Sequence, residues 1–398
     1  MNPDRNVPLY GHAARSLARS LARSLAYCLV LLALAACSRG ADTDHELRIG
    51  LLVPQSAIPS MSTSRSAAEA LVARVNAEGG LAVGGRKVKV RLLVEDTGGQ
   101  VERVMAAAAR LIRQERVSAL VGPYYSRTAV PVASVAEQSH VPMVSPSASN
   151  PLLTKGRNSV FRVCMVDTVQ GRIMARFAHK DLGLFRAAVL LDEADAYSGG
   201  LAGLFCDSFS LMGGQVVARE TYATGATDFS AQLARIRASG AQALFLPNFP
   251  ADVVLQVAQA RAAGFSGVFL GGDSWDTDKS IHALPQAQGA FFSSDYAGAA
   301  LTGQVQQEAE SYRKELGLPL DKNAALTLDA LGVILAGAKA AGSTDPVPLR
   351  EGIASLRGYE GFTGRLSFER GGDAVRGAHI MVIEGGQARC RMELGAEP

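Results

Sequence analysis

The chain has 398 residues, of which 48% are hydrophobic, 6% aromatic and 19% charged; that is enough apolar side chain for substantial cores and too much length for a single one. Forty-one Gly and 16 Pro in an otherwise ordinary composition exclude a collagen-like, coiled-coil or disordered chain. The formal net charge of +3 resides wholly in residues 1–36, where Arg5, Arg15, Arg19 and Arg23 stand against Asp4 alone. A nucleic-acid binder carries its basic excess on the folded part, so no nucleic-acid partner is expected.

Arg-Ser-Leu-Ala repeats three times over residues 15–26, and an uncharged apolar run of 12 residues follows from Leu25 to Ala36. That run is too short to span a bilayer and suits the core of a signal peptide behind a positive segment. It ends in Leu34-Ala35-Ala36-Cys37, which resembles the bacterial lipobox, in which the cysteine after a small residue is diacylated and becomes the new amino terminus. Residues 1–36 are therefore expected to be a lipoprotein signal peptide, Cys37 the lipidation site, and 37–46 a polar linker. The mature protein is expected in the periplasm, lipid-anchored to a bacterial membrane. Beyond the leader remain Cys164, Cys206 and Cys390, whose spacing forms no CxxC motif. They allow one disulfide with a thiol left over, or buried free thiols.

From Leu47 the pattern alternates short β-rich runs with helical segments. A strand over Leu47–Val53 precedes a helix reaching about Asn76, and a strand over Val88–Val94 precedes a helix over Val101–Arg113. In that helix Val101, Val104, Met105, Ala108, Leu111 and Ile112 share one face. Strands over Val117–Val121 and Val141–Val144 flank a helix over Ser126–Gln138. A second series places strands at Val160–Val163, Ala187–Leu191, Val216–Thr221, Ala243–Leu246 and Val268–Leu270, with helices starting at Thr168, Tyr197, Phe229 and Ala251. Gly79–Lys87 reads as a helix-to-strand turn. Alternation of this length predicts α/β architecture, with doubly wound parallel sheets in two lobes. Ligands in such sheets sit beyond the strands' carboxyl ends, which directs attention to loops 54–63, 122–127, 145–150 and 271–276.

Eleven segments, among them IGLLVP, ALVGPYYS, VPMVSPSASNPLLT, VFRVCMVDTVQG, AVLLDEADAYSGGLA, ALFLPNFP, FLGGDSW and FTGRLSFERGGD, resemble in order and spacing the branched-chain amino acid substrate-binding protein family of ABC transporters. The resemblance implies a type I periplasmic binding protein: two doubly wound parallel-sheet lobes joined by three hinge crossings, near residues 164–166, 293–296 and 363–366. Lobe one would comprise 47–164 plus 296–364, and lobe two 165–295 plus 365–398.

Members that bind amino acids hold the α-carboxylate with lobe-one hydroxyls and amides and the ammonium with an acid from lobe two. By this resemblance Ser126, Ser147, Ala148 and Ser149 face the carboxylate, and Asp273 faces the ammonium. Tyr197 and Phe249 line the cleft from lobe two. Trp275, in the Asp273 loop, is expected either as a pocket wall or as plain surface packing. Ser126 could equally be a plain helix cap. The first loop, Pro54-Gln55-Ser56-Ala57-Ile58-Pro59-Ser60-Met61, departs from the family, because Ser60 stands near the position of a large aromatic contact. Branched-chain preference therefore does not carry over.

Enzyme signatures are lacking. The Gly79–Lys87 stretch has no Gly-Lys-Ser/Thr, Ala196 occupies the first Gly position of a would-be GxSxG, and the six His form no HxxxH pair. The expectation is a monomeric, non-enzymatic receptor with no cofactor and no metal. Its partners would be a small-molecule ligand (an amino acid or analogue) and an inner-membrane ABC permease and ATPase. The alternative is a ligand-sensing envelope lipoprotein of the same fold.

Overall fold

The computed structural model describes residues 46–395 apart from 57, 59, 60, 297–302, 318, 319 and 370. The expected signal peptide, residues 1–36, and Cys37 and Ser60 lie outside the described residues.

Five parallel strands form the first sheet in the order β4 (Val90–Asp96), β1 (Leu47–Val53), β5 (Ala119–Val121), β6 (Met143–Ser145) and β7 (Val160–Arg162). Side chains alternate across a strand, and β1 feeds two cores. Leu47, Ile49, Leu51 and Val53 pack in one, while Leu52 packs in the other beside Val104, Ala108 and Leu111. Both faces are thus covered by helices, as a parallel sheet requires. α1 (Met61–Ala77) lies on the first face; α2 (Val101–Arg113) and α3 (Ser126–Gln138) lie on the second.

The chain then changes sheet and runs α4 (Asp167–Arg176), β8 (Arg186–Asp192), α5 (Ala196–Leu211), β9 (Gln215–Tyr222), α6 (Ser230–Ala238), β10 (Ala243–Leu246), α7 (Pro250–Ala262), β11 (Val268–Gly271), the single turn α8 (Ser280–Ala283) and β12 (Phe291–Ser294). The second sheet has the order β17 (Gln387–Leu394), β16 (Ala378–Glu384), β12, β11, β10, β8, β9. Again Ala187, Val189 and Leu191 face one core, and Ala188 and Leu190 the other.

After β12 the chain returns to the first core with α9 (Gly303–Leu316), α10 (Lys322–Ala341) and α11 (Pro346–Ala354). It then crosses back through the small antiparallel sheet β13 (Tyr359–Gly361), β14 (Gly364–Ser367) and β15 (Val375–Arg376). β16 (Ala378–Glu384) and β17 (Gln387–Leu394) complete the second sheet, antiparallel to their neighbours.

Two hairpins differ from the sequence reading for one local reason. Gly84-Gly85 and Gly385-Gly386 are two-residue turns with φ of 55° and 79°, and of 59° and 77°. Two positive φ values suit a turn whose twist matches the paired strands. Gly79–Lys87 is therefore not a plain turn; it includes the hairpin of β2 (Leu81–Val83) and β3 (Arg86–Val88).

α10 is 20 residues long and apolar enough by composition to cross a membrane, yet 72% of its apolar window is buried inside the fold. An all-round apolar helix is what a core position between other helices selects.

Arg376 joins the three places where the chain changes sheet. Its guanidinium donates to the carbonyls of Val163, Asp295 and Thr363 and to the Thr363 hydroxyl, and lies 3.5 Å from the Asp295 carboxylate. Asp295 in turn accepts from the Met165 amide at 2.7 Å. Among the described residues the cysteines are free: Cys164 is buried, Cys206 half-buried and Cys390 exposed.

Candidate functional site

A small cavity lies between the two sheet-centred halves at the carboxyl ends of their strands, lined by Met61, Tyr125, Ser126, Ser147 and Asn323 from the first half and Tyr197, Phe249 and Asp273 from the second. Its water-accessible volume is about 30 Å³, room for a water or two.

On the first side, β5 ends at Val121 and Gly122 turns with φ 92°, where a Cβ would meet the Leu52 carbonyl oxygen at 2.6 Å. Tyr125 occupies the N-cap position of α3 without a side-chain cap, which leaves Ser126 as the first helical residue. Ser126 is thus not a plain cap. Its hydroxyl accepts from the Asn150 amide at 3.3 Å, at a helix end whose first amides lack intrahelical partners and favour negative charge.

The 145–150 loop is pinned from below. The Ser145 hydroxyl donates to the Pro123 carbonyl, and Arg162, fully buried, donates to the carbonyls of Ala148 and Asn150. Of the loop residues only Ser147 reaches the cavity, with its hydroxyl donating to the Tyr124 carbonyl. Ala148 turns into the core with Leu153 and Val132, and Ser149 is buried beside Asp167. In the first loop Ser56 is held by the Asp96 carboxylate, at 3.0 Å from its amide.

On the second side, β11 ends in Gly271-Gly272. A Cβ on Gly271 would stand 2.2 Å from the Trp275 ring, and one on Gly272 2.4 Å from the Tyr197 hydroxyl, so this turn admits only glycine. Trp275 corrects the sequence expectation. It is fully buried against Phe292, its indole N–H donates to the Leu246 carbonyl, and it packs in the core rather than lining the cavity. A large ring with one donor is satisfied best in a core that offers a carbonyl. Phe249 bridges the cleft, edge-on to Tyr125 at 5.4 Å and tilted against Tyr197 at 5.4 Å.

Asp273 carries the electrostatics. Its Oδ1 accepts from the Tyr197 hydroxyl at 3.1 Å, and its Oδ2 from Lys322 Nζ at 2.6 Å. Lys322 also donates to the Asp273 carbonyl at 2.7 Å and lies 3.7 Å from Asp295. Burial favours the neutral amine, but the carboxylates of Asp273, Asp295 and Asp276 outweigh it and hold the ammonium above its ordinary value. Burial pushes the Tyr125 phenol up to about 12, so it is a neutral donor.

Lys322, Asn323, Tyr124 and Tyr125 escaped the sequence reading. Tyr124 and Tyr125 directly precede Ser126. Lys322 had a signal of another kind: Asp321 caps α10, so Lys322 puts a cation in the first turn, where the helix dipole disfavours it. A lone cation there, opening an otherwise apolar helix, implies an anionic partner.

Two sheets of this order, three crossings and a cleft between strand ends define a two-lobed binding protein. Residues 46–388 match the family profile described as Periplasmic binding protein. The chain belongs to that family, in its type I branch of branched-chain amino acid ABC transporter substrate-binding proteins. It is 28% identical over 312 residues to a Leu/Ile/Val-binding protein homolog 3 of Brucella melitensis, covering 78% of this chain and 83% of that one. A leucine binding protein, LivK, of Thermotoga maritima is similar with a TM-score of 0.81 and 30% identity, over 88% of this chain and 99% of that one. LivJ of Streptococcus pneumoniae, solved in complex with isoleucine, is similar with a TM-score of 0.78 and 25% identity, over 89% and 100%. Family membership implies an extracytoplasmic location, and the relatives are solute-binding proteins rather than enzymes.

Proposed function

We propose that the protein is a lipid-anchored receptor that captures a small amino acid or a related acid or amide between its lobes and delivers it, as a monomer, to an inner-membrane ABC permease and ATPase. The observation that carries this reading is the cavity, which draws its lining from both sides of the hinge. Lobe one is taken as 47–164 plus 296–364 and lobe two as 165–295 plus 365–398, so that ligand contacts span the hinge and couple occupancy to closure. Ser126 and Ser147 receive the anionic end of the ligand, and Tyr197 and Phe249 flank its body.

A thermal-shift screen of residues 38–398 against amino acids, amides and carboxylic acids tests the reading, because a ligand that binds only the folded state raises Tm. At least one class is expected to raise Tm in a concentration-dependent way. Ser126→Ala is expected to weaken that ligand by about 1–2 kcal/mol, roughly tenfold, since neighbouring amides remain. Wild-type affinity in that variant, measured by calorimetry, would remove Ser126 from the site.

Anchoring is tested separately. Cys37→Ser in the full chain is expected to abolish lipid labelling and move the protein from the detergent phase to the aqueous phase. Retention in the detergent phase, with processing unchanged, would show that the membrane is held by some other means.

A further inference from the structure

The acid expected to meet a ligand's ammonium group already has a cation. We propose that Lys322 takes the place of that ammonium, and that the cleft is built for a carboxylate whose second polar group is uncharged: a 2-oxo or 2-hydroxy acid rather than an α-amino acid. The inference rests on the ligand-capture reading above and narrows its substrate class.

Asp273 is the only acid among the described cavity-lining residues, and both of its oxygens are engaged, one by the Tyr197 hydroxyl and one by Lys322. The pair is sheltered, with side chains 1% and 5% exposed. Charges so removed from water interact far more strongly than surface pairs. A ligand ammonium brought to Asp273 would compete with Lys322 and the Tyr197 hydroxyl for oxygens already engaged, while the other acids that face Lys322, Asp295 and Asp276, are not among the described residues lining the cavity. A neutral oxo or hydroxyl group enters no such competition.

The rest of the lining agrees. Asn323 follows Lys322 on the same turn of α10, is 3% exposed, and its Oδ1 has no hydrogen-bond partner among the described residues. An amide side chain offers an acceptor to a hydroxyl or, turned over, a donor to an oxo group. The amino end of α3 with Ser126 remains for the carboxylate. Tyr125, Phe249 and Met61 supply an apolar wall for the carbon chain. The chain thus provides its own cation in a site that in an amino-acid receptor would receive one from the ligand.

The test uses matched acids that differ only at the second carbon: leucine, 4-methyl-2-oxopentanoate and 2-hydroxy-4-methylpentanoate, with the corresponding alanine and phenylalanine sets. Calorimetry on the wild-type protein is expected to give the oxo or hydroxy acid at least a hundredfold tighter affinity than the amino acid of the same side chain. Lys322→Met, which frees Asp273, is expected to narrow that ratio at least tenfold, and Lys322→Arg, which keeps the charge, to preserve it. Should Lys322→Met fail to fold, the wild-type ratio alone decides. An amino acid that binds the wild type as tightly as its oxo and hydroxy counterparts overturns this inference and leaves ligand capture standing. If no member of any set binds while the thermal-shift screen finds another ligand, this inference alone falls; if that screen also finds none, ligand capture falls with it.

Discussion

Replacing Arg376 with alanine is expected to lower the stability of the folded body by about 3–5 kcal/mol, the cost typical of breaking a buried ion pair by removing one partner. The side chain is 3% exposed and holds carbonyls from all three sheet-changing segments together with the Asp295 carboxylate. Alanine leaves those acceptors buried without a donor. Arg376→Lys is expected to recover only part of the loss, since one ammonium cannot reproduce a planar fork of donors. Urea unfolding measures the effect: the midpoint should fall steeply, with lysine intermediate. A change below 1 kcal/mol (about 1, the range of a surface pair) would mean that the crossings hold each other without it.

Asp167→Asn is expected to change how stability depends on pH. The carboxyl of Asp167 is fully buried at the start of α4, and its pKa is pushed up to about 8, chiefly by burial; the neighbouring Asp273 and Asp195 charges add to the rise, while the Ser149 hydroxyl and Arg162 oppose it. In the unfolded chain an aspartate titrates near about 3.9. Between these values the folded state holds a proton that the unfolded state has released, so stability falls as pH rises through the window, by about 1.4 kcal/mol per unit. Asparagine keeps the oxygen that accepts from Gln170 and removes the titration. Relative to wild type, the variant's stability should climb between pH 5 and pH 8 (roughly the span the two pKa values bracket). A constant difference across that range would show that Asp167 titrates as an ordinary aspartate.

How much was legible in the sequence follows from which forces are local. Strand-helix alternation and the face of α2 rest on residues three, four or two positions apart, so they could be read along the chain. The two Gly-Gly hairpins were equally local, but neither was read as a hairpin, although paired glycines between β-rich runs are a turn signal. The antiparallel β16 and β17, by contrast, lie at the far end of a sheet whose partner strand, β12, is distant in sequence.

The candidate site divides along the same line. The loops after β1, β5, β6 and β11 were foreseeable from the rule that ligands gather at strand carboxyl ends, and the resemblance put Ser126, Ser147, Tyr197, Phe249 and Asp273 within them; the fold brings these five to one cavity. Ala148 and Trp275 went to the cores instead, because a strand end presents alternate residues to opposite sides and a buried indole goes where a carbonyl awaits it. Tertiary structure alone decided the charge balance. Lys322, which opens α10, and Asp273, just after β11, are 49 residues apart, and Arg376 reaches back 213 residues to Val163. No periodicity encodes such pairs; they exist because folding excludes water from both partners at once, which makes an unpaired charge too costly to leave. The amino-acid sequence by itself determined the class of fold and the place of the cleft, and the packing of two distant segments determined which charge a ligand would meet there.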